Sequence, residues 1–180
     1  ELEMLMLAPN RYLTNIDMPG LGRMEQGFDG SVGWMKNPII GTQLMQGKQL
    51  EEMRRNSDFF KEAELSQVWP SATTIGIVDF AGHRCHEVAV KGDMGEGSLF
   101  FDVDGGLHRG MRLMMDTPLG QIPTTTRYLE HKEFDGVKMA TLSEIEAVTA
   151  VQTMIVESVD FAPLDEKLFE QPADVKALVA

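Results

Sequence analysis

The feature that most limits what this chain can become is a period of two. In Arg11–Met18, the residues Tyr12, Thr14, Ile16 and Met18 share one side while Arg11, Asn15 and Asp17 take the other, with Leu13 as the exception. Over 84–91, His86, Val88 and Val90 fall together opposite Cys85, Glu87 and Lys91. Leu107, Met111, Leu113 and Met115 line one side of the next run, and later Val137, Met139, Thr141 and Ile145 oppose Lys138, Glu144 and Glu146. Successive side chains of a strand point to opposite faces, so these runs predict strands with one dry and one wet face, as in antiparallel sheet. Between them fall Asp29-Gly30, the segment 79–82, Asp104-Gly105-Gly106 and Asp135-Gly136. Asp-Gly pairs close tight hairpins, so the spacing predicts nine or ten strands joined mostly as a meander. Pro9, Pro19, Pro38, Pro118 and Pro123 are expected at strand ends or kinks, where a missing N–H is tolerated.

One segment breaks the period. Over 47–61, Leu50, Met53, Phe59 and Phe60 recur near every 3.6 residues, and Lys48, Glu51, Glu52, Arg54 and Arg55 cover the opposite side. This predicts an amphipathic helix of about four turns. Two short helical turns are predicted near the end, over 165–169 and 173–179. With no linker, low-complexity tract or internal repeat, the 180 residues read as one domain, 1–180, large enough to bury about 70% of the surface of its unfolded chain. A wide sheet with one dry face must curl to cover it, and the 47–61 helix is available as a lid. The expected architecture is therefore mainly β with one helix (α+β), a curled antiparallel sheet or unclosed β-barrel. The chain opens at Glu1 inside what reads as a strand, so a further N-terminal element is expected before it.

Charge and chemistry narrow the function classes. Acids outnumber bases 28 to 16, a formal net charge of −12, and such a surface repels phosphate backbones and anionic headgroups. Nucleic acid is therefore not an expected partner. Apolar runs such as Leu5-Met6-Leu7-Ala8 fall far short of the roughly 18 residues of a membrane-spanning helix. The single Cys85 excludes an internal disulfide within these residues and any multi-cysteine metal site. His83-Arg84-Cys85-His86 is the one dense group of metal-capable residues, but on a strand His83 and Cys85 point one way and His86 the other, whereas zinc needs three or four converging ligands. Asp102-Val103-Asp104-Gly105-Gly106 resembles the start of a calcium loop without its later oxygens, and a hairpin turn accounts for it. No metal and no cofactor are expected.

Catalytic signatures are missing too: no Gly-x-Ser-x-Gly elbow, no His-Glu-x-x-His helix, no phosphate loop, no dinucleotide fingerprint. The glycine-rich 92–97 segment carries two acids and reads as a hairpin tip. Cys85 has no basic neighbourhood that would activate its thiol. No catalytic residue is assigned. Thirteen methionines, spread over several strands, either fill an irregular core or line an adaptable apolar pocket. Trp34, Phe59, Phe60 and Trp69 lie in the helical region or flank it.

Several segments resemble one known group. Pro9-Asn10-Arg11-Tyr12-Leu13, Pro19-Gly20-Leu21-Gly22 and the Asp29-Gly30…Trp34 hairpin look like the early strands of the LolA/LolB-like outer-membrane lipoprotein-sorting superfamily. Phe101-Asp102-Val103-Asp104-Gly105-Gly106-Leu107 is similar to a later hairpin of that group, as are 118–123, 134–140 and the closing 165–172. The 47–61 helix after Asn37-Pro38-Ile39-Ile40-Gly41 marks a narrower branch. The resemblance implies an incomplete antiparallel barrel with a helical lid over an apolar cavity, in an exported, periplasmic protein; the carriers of the group chaperone acylated lipoproteins. It transfers no residue role, because the arginine that controls lid opening there has no match in this chain.

The reading that joins these strands is a non-catalytic periplasmic carrier holding a lipid or acylated ligand, with Trp34, Leu50, Met53, Phe59, Phe60, Met111, Leu113 and Met115 as the expected lining. Two other readings fit the same residues: a solid-core interaction module with a protein partner in the cell envelope, and an enzyme on the same half-barrel with His83, Cys85 and His86 gathered beside acids.

Overall fold

The computed structural model describes residues 1–60, 65–92, 95–117 and 120–179. Among them are strands β1 (Leu2–Leu7), β2 (Arg11–Met18), β3 (Gly22–Phe28), β4 (Gly33–Asn37) and β5 (Gly41–Leu44), helices α1 (Gly47–Asn56) and α2 (Leu65–Val68), then β6 (Ser71–Phe80), β7 (His83–Gly92), β8 (Gly95–Asp102), β9 (His108–Thr117), β10 (Gly120–Phe134), β11 (Val137–Ala147) and β12 (Ala150–Ile155). A 3₁₀ turn, Glu166–Phe169, and helix α3 (Ala173–Val179) follow, where the two closing helical turns are predicted. Within each of two sheets every strand pairs antiparallel with its neighbour in sequence, so the meander read from the Asp-Gly spacing is present. It is divided, however. The order β1-β2-β3-β4-β5 forms one open sheet and β6 through β12 a second, and the chain separates into two compact units, 1–64 with 163–180, and 65–162.

In the first unit both faces of the sheet are covered. Tyr12, Phe28 and Gly33 stand opposite one another on β2, β3 and β4, and so share a face. Helix α1 lies there: a Cβ at Gly33 would run into Met53 Sδ and come within 3.1 Å of Leu50 and 3.2 Å of Met45. Tyr12, Phe28, Met45 and Met53 form the buried cluster, with Met6, Met35 and Leu50 against it. One residue along each strand the direction reverses, and Leu13, Gly27 and Trp34 make the opposite face. The C-terminal strap closes that face with buried Phe169 and Val175. Its polar ties are Glu166 to Arg11 (3.0 Å), Asp174 to Lys36 (2.9 Å) and Thr42 (2.6 Å), and Gln171 Nε2 to Asp29 Oδ2 (2.6 Å). Leu13, the exception in the alternation of β2, has its reason here.

Helix α1 is shorter than its periodicity predicts. It ends at Asn56, and the Ser57 hydroxyl turns back to the Arg54 carbonyl oxygen (2.8 Å). Asp58 then accepts from the Phe60 N–H (2.9 Å), while the Phe59 N–H donates to the Pro9 carbonyl (3.0 Å). The short polar side chains of Asn56, Ser57 and Asp58 compete for backbone groups and favour a turn over continued helix. The predicted end at Lys61, the hairpin tip at Asp93-Met94 and the Pro118 kink lie outside the described residues.

In the second unit the register sorts side chains as alternation requires, with one addition. Val88, Leu99 and Met111 share a row on one face, and Val90 and Leu113 lie in the next, packed with Trp69. The other face carries Glu87 bonded to Ser98 (2.7 Å) and Arg127 paired with Glu146 (2.8 Å). That face, wet by the alternation, also holds a small apolar cluster: Phe80 stacks on Phe100 (ring centroids 3.9 Å, planes 4° apart) over fully buried Cys85, with the Arg112 guanidinium 5.2 Å from both rings. The cation and the stem of Arg112 cap the stack and let it stand on a polar surface.

Candidate functional site

The apolar face of the seven-stranded sheet carries the expected lining residues of the second unit. It is built by odd-numbered residues of β9, which put Met111 opposite Leu99 and Thr126, Leu113 opposite Gly97 and Thr124, and Met115 opposite Ile122. Of the three expected lining residues on this strand, Leu113 is buried in the cluster under Trp69, Met111 is half-buried beside it, and Met115 is 41% exposed. Met154 on β12 lies on the same face, opposite Ser143, and is also exposed. Met side chains with free ends, bordering a packed floor, make a surface that adapts to an irregular apolar shape.

The first unit holds a second feature. Between α1 and the sheet is a recess of about 270 Å³, floored by Tyr12, Met35, Met45 and Met53 and rimmed by Gln26, Gln49, Glu52 and Asn56. Burial pushes the Tyr12 phenol up to about 12, so the hydroxyl stays protonated at any physiological pH. Of the expected lining residues in this unit, Leu50 and Met53 pack together on the α1 face. Phe59 and Phe60 follow the helix as an exposed edge-to-face pair, centroids 5.3 Å apart. Trp34 is elsewhere: it is fully buried on the opposite face, its Nε1 donating to Glu25 Oε1 (3.0 Å).

The reactive side chains show little that would support chemistry. Cys85 is fully buried, and burial, with the nearby Asp102 carboxylate, raises its thiol pKa, the reverse of an activated nucleophile. Asp102 has both oxygens engaged. Oδ1 accepts from the N–H groups of Asp104 (3.0 Å) and Gly105 (2.8 Å), while Oδ2 takes Arg109 Nε (3.1 Å) and Nη2 (2.9 Å), with His83 Nδ1 at 3.8 Å. The Arg109 bond and the turn N–H groups hold its carboxyl below the usual range. This is the hairpin turn read from Asp102–Gly106. Among the described residues no three His, Cys, Asp or Glu side chains converge as a metal site would need. His83 and His86 sit on opposite faces of β7, as strand geometry dictates. What the sequence does not foreshadow is the approach of His108 and His131, 23 residues apart, which meet because β9 and β10 are adjacent.

No family model matches the sequence, and no curated protein matches it. The structure is similar to the crystal structure of a LolA superfamily protein from Nitrosomonas europaea, with a TM-score of 0.66 and 12% sequence identity over 94% of this chain and 80% of that one. At that identity the likeness is one of fold: mainly antiparallel β, unclosed, with few helices, as the resemblance in the turn motifs implies. No helix among the described residues is long and apolar enough to cross a membrane.

Proposed function

We propose that this chain, with its LolA-like fold, is a non-catalytic periplasmic carrier that binds the acyl part of a lipid or lipoprotein on the apolar face of its seven-stranded sheet. The observation that carries the reading is the row Met111, Leu113, Met115 on one face of β9, in which buried Leu113 is flanked by half-buried Met111 and exposed Met115. An apolar floor with exposed methionines beside it offers a hydrocarbon chain contact without a large rearrangement of packed core. Each methylene transferred from water contributes about 0.8 kcal/mol, so a chain of a dozen or so offsets an association cost of several kcal/mol. Leu50, over buried Met53, and the exposed Phe59–Phe60 pair supply a second apolar surface in the first unit. Trp34 serves as core of the strap-covered face.

The test is native mass spectrometry of protein exported to a bacterial periplasm and purified without detergent. A discrete added mass equal to a fatty acid, phospholipid or acyl peptide is expected. Met115→Asp places a charge on the exposed edge of the row and should abolish that mass while leaving the circular dichroism spectrum unchanged; Met111→Asp should do the same at some cost in stability. A bare mass that persists after lipids are offered would replace this reading with the interaction module.

A further inference from the structure

Two histidines of the second unit stand where neutral rings fit and charged ones do not. His108 on β9 stacks against Phe101 (centroids 4.8 Å, planes 21° apart) and meets Tyr128 edge-on at 5.1 Å. His131 on β10 stands edge-on to the same tyrosine at 6.4 Å, its Nε2 3.2 Å from the His108 carbonyl oxygen. A carbonyl only accepts, so in the neutral ring Nε2 carries the proton and Nδ1 is a bare acceptor. That Nδ1 and His108 Nε2 are both buried without a partner; Thr141 Oγ1 is the third such side-chain atom among the described residues.

The pair occupies the place where the strand ladders falter. The β8–β9 register slips between Phe100 and Phe101, and β10–β11 slips twice, between Tyr128 and Glu130 and between Glu130 and His131. The β9–β10 ladder stops at Gly110–Arg127. Beyond that point the His131 bond to the His108 carbonyl joins the two strands, beside the edge-on contact of His108 with Tyr128. Bulged, unpaired backbone gives way more readily than continuous ladder.

We propose that His108 and His131 form an acid-sensitive latch, which closes this corner of the sheet when both rings are neutral and opens it when they are protonated. A proton on either bare nitrogen creates a buried cationic N–H with nothing to accept it. Nor, among the described residues, is a counter-ion at hand. From β8 the corner is faced by Asp102, already neutralised by Arg109 of β9 through two bonds. β7 contributes His83 and, opposite Phe101, His86; β11 contributes Lys138; Tyr128 lies on β10 itself, where Glu130 and Lys132 are exposed. β6 places Ile77 beside His86. Burial holds both imidazoles below their usual 6.5, and Arg109, Lys138 and His83 add to this for His131. For a base whose pKa is lowered in the closed form, the open form takes the proton first. The closed state is therefore secure above about 6.5 and loses ground as pH falls toward the lowered values. The latch is independent of what the sheet binds.

The experiment is amide hydrogen exchange of the whole chain between about pH 7 and pH 3, corrected for intrinsic rates. Opening of the amides over 108–113 and 124–131 should rise about tenfold per pH unit for each imidazole protonated on opening, while those of β6 stay level. His131→Gln keeps an N–H for the His108 carbonyl and should remove one proton from that slope; His108→Phe, a ring of similar shape between Phe101 and Tyr128, should remove the other. A flat wild-type profile, a slope unchanged in His131→Gln, or an onset only below about pH 4, which would assign it to Asp102, would each overturn the latch.

Discussion

At the scale of single residues, this fold is decided by which side of a strand a side chain takes. Gly33 and Trp34 are neighbours in sequence, yet one admits the helix and the other is sealed under the strap. Gly27 makes the second arrangement possible, because a Cβ there would land on the Trp34 ring. The ring has no room to withdraw, being fully buried and tied to Glu25. Gly27→Ala should therefore destabilise the protein by about 1–3 kcal/mol, the usual penalty of overpacking. A urea titration followed by tryptophan fluorescence would measure it, and an unchanged midpoint would mean that the ring is free to move.

Elements carry the part of the fold that is legible in the sequence, and they also show where legibility stops. Alternation is dictated by strand geometry, and Asp-Gly turns by backbone sterics, so strands β2, β7, β9 and β11 and the sequential meander can be read residue by residue. The division into two sheets cannot, because the helical stretch after β5 carries no signal of whether the next strand pairs back. The length of α1 misleads because Phe59 and Phe60 complete its apolar period beyond the polar stop at 56–58. Of the candidate site, Met111, Leu113 and Met115 follow from parity alone, whereas the placing of Trp34 depends on a C-terminal layer more than 120 residues away in sequence. That layer hangs on Phe169, which is 1% exposed. Phe169→Ala should cost about 3–5 kcal/mol, the range for a truncated buried aromatic. It should also speed proteolysis within 163–179; a mutant as resistant as the wild type would show that the ion pairs to Arg11 and Lys36 hold the strap unaided.

For the molecule as a whole, charge sets the response to solution conditions. A net charge of −12 is spread over a chain whose described ion pairs mostly have at least one exposed partner, as with Glu166 at 76% and Lys91 at 75%. Salt has two opposed effects on such a chain: it weakens the pairs and it screens the repulsion among unpaired acids. Exposed pairs contribute about 0–1 kcal/mol each and are partly lost already to side-chain entropy. The excess of acids, by contrast, acts across the surface at distances that fall inside the Debye length of about 30 Å at 0.01 M and outside the 8 Å at 0.15 M. Repulsion therefore outweighs the pairs, and the thermal midpoint at neutral pH should rise between those two salt concentrations, with sodium chloride and potassium chloride acting alike because screening depends on ionic strength. A midpoint that falls instead would mean that the strap and turn ion pairs, Arg11–Glu166, Lys36–Asp174 and Arg109–Asp102, dominate over the excess of acids.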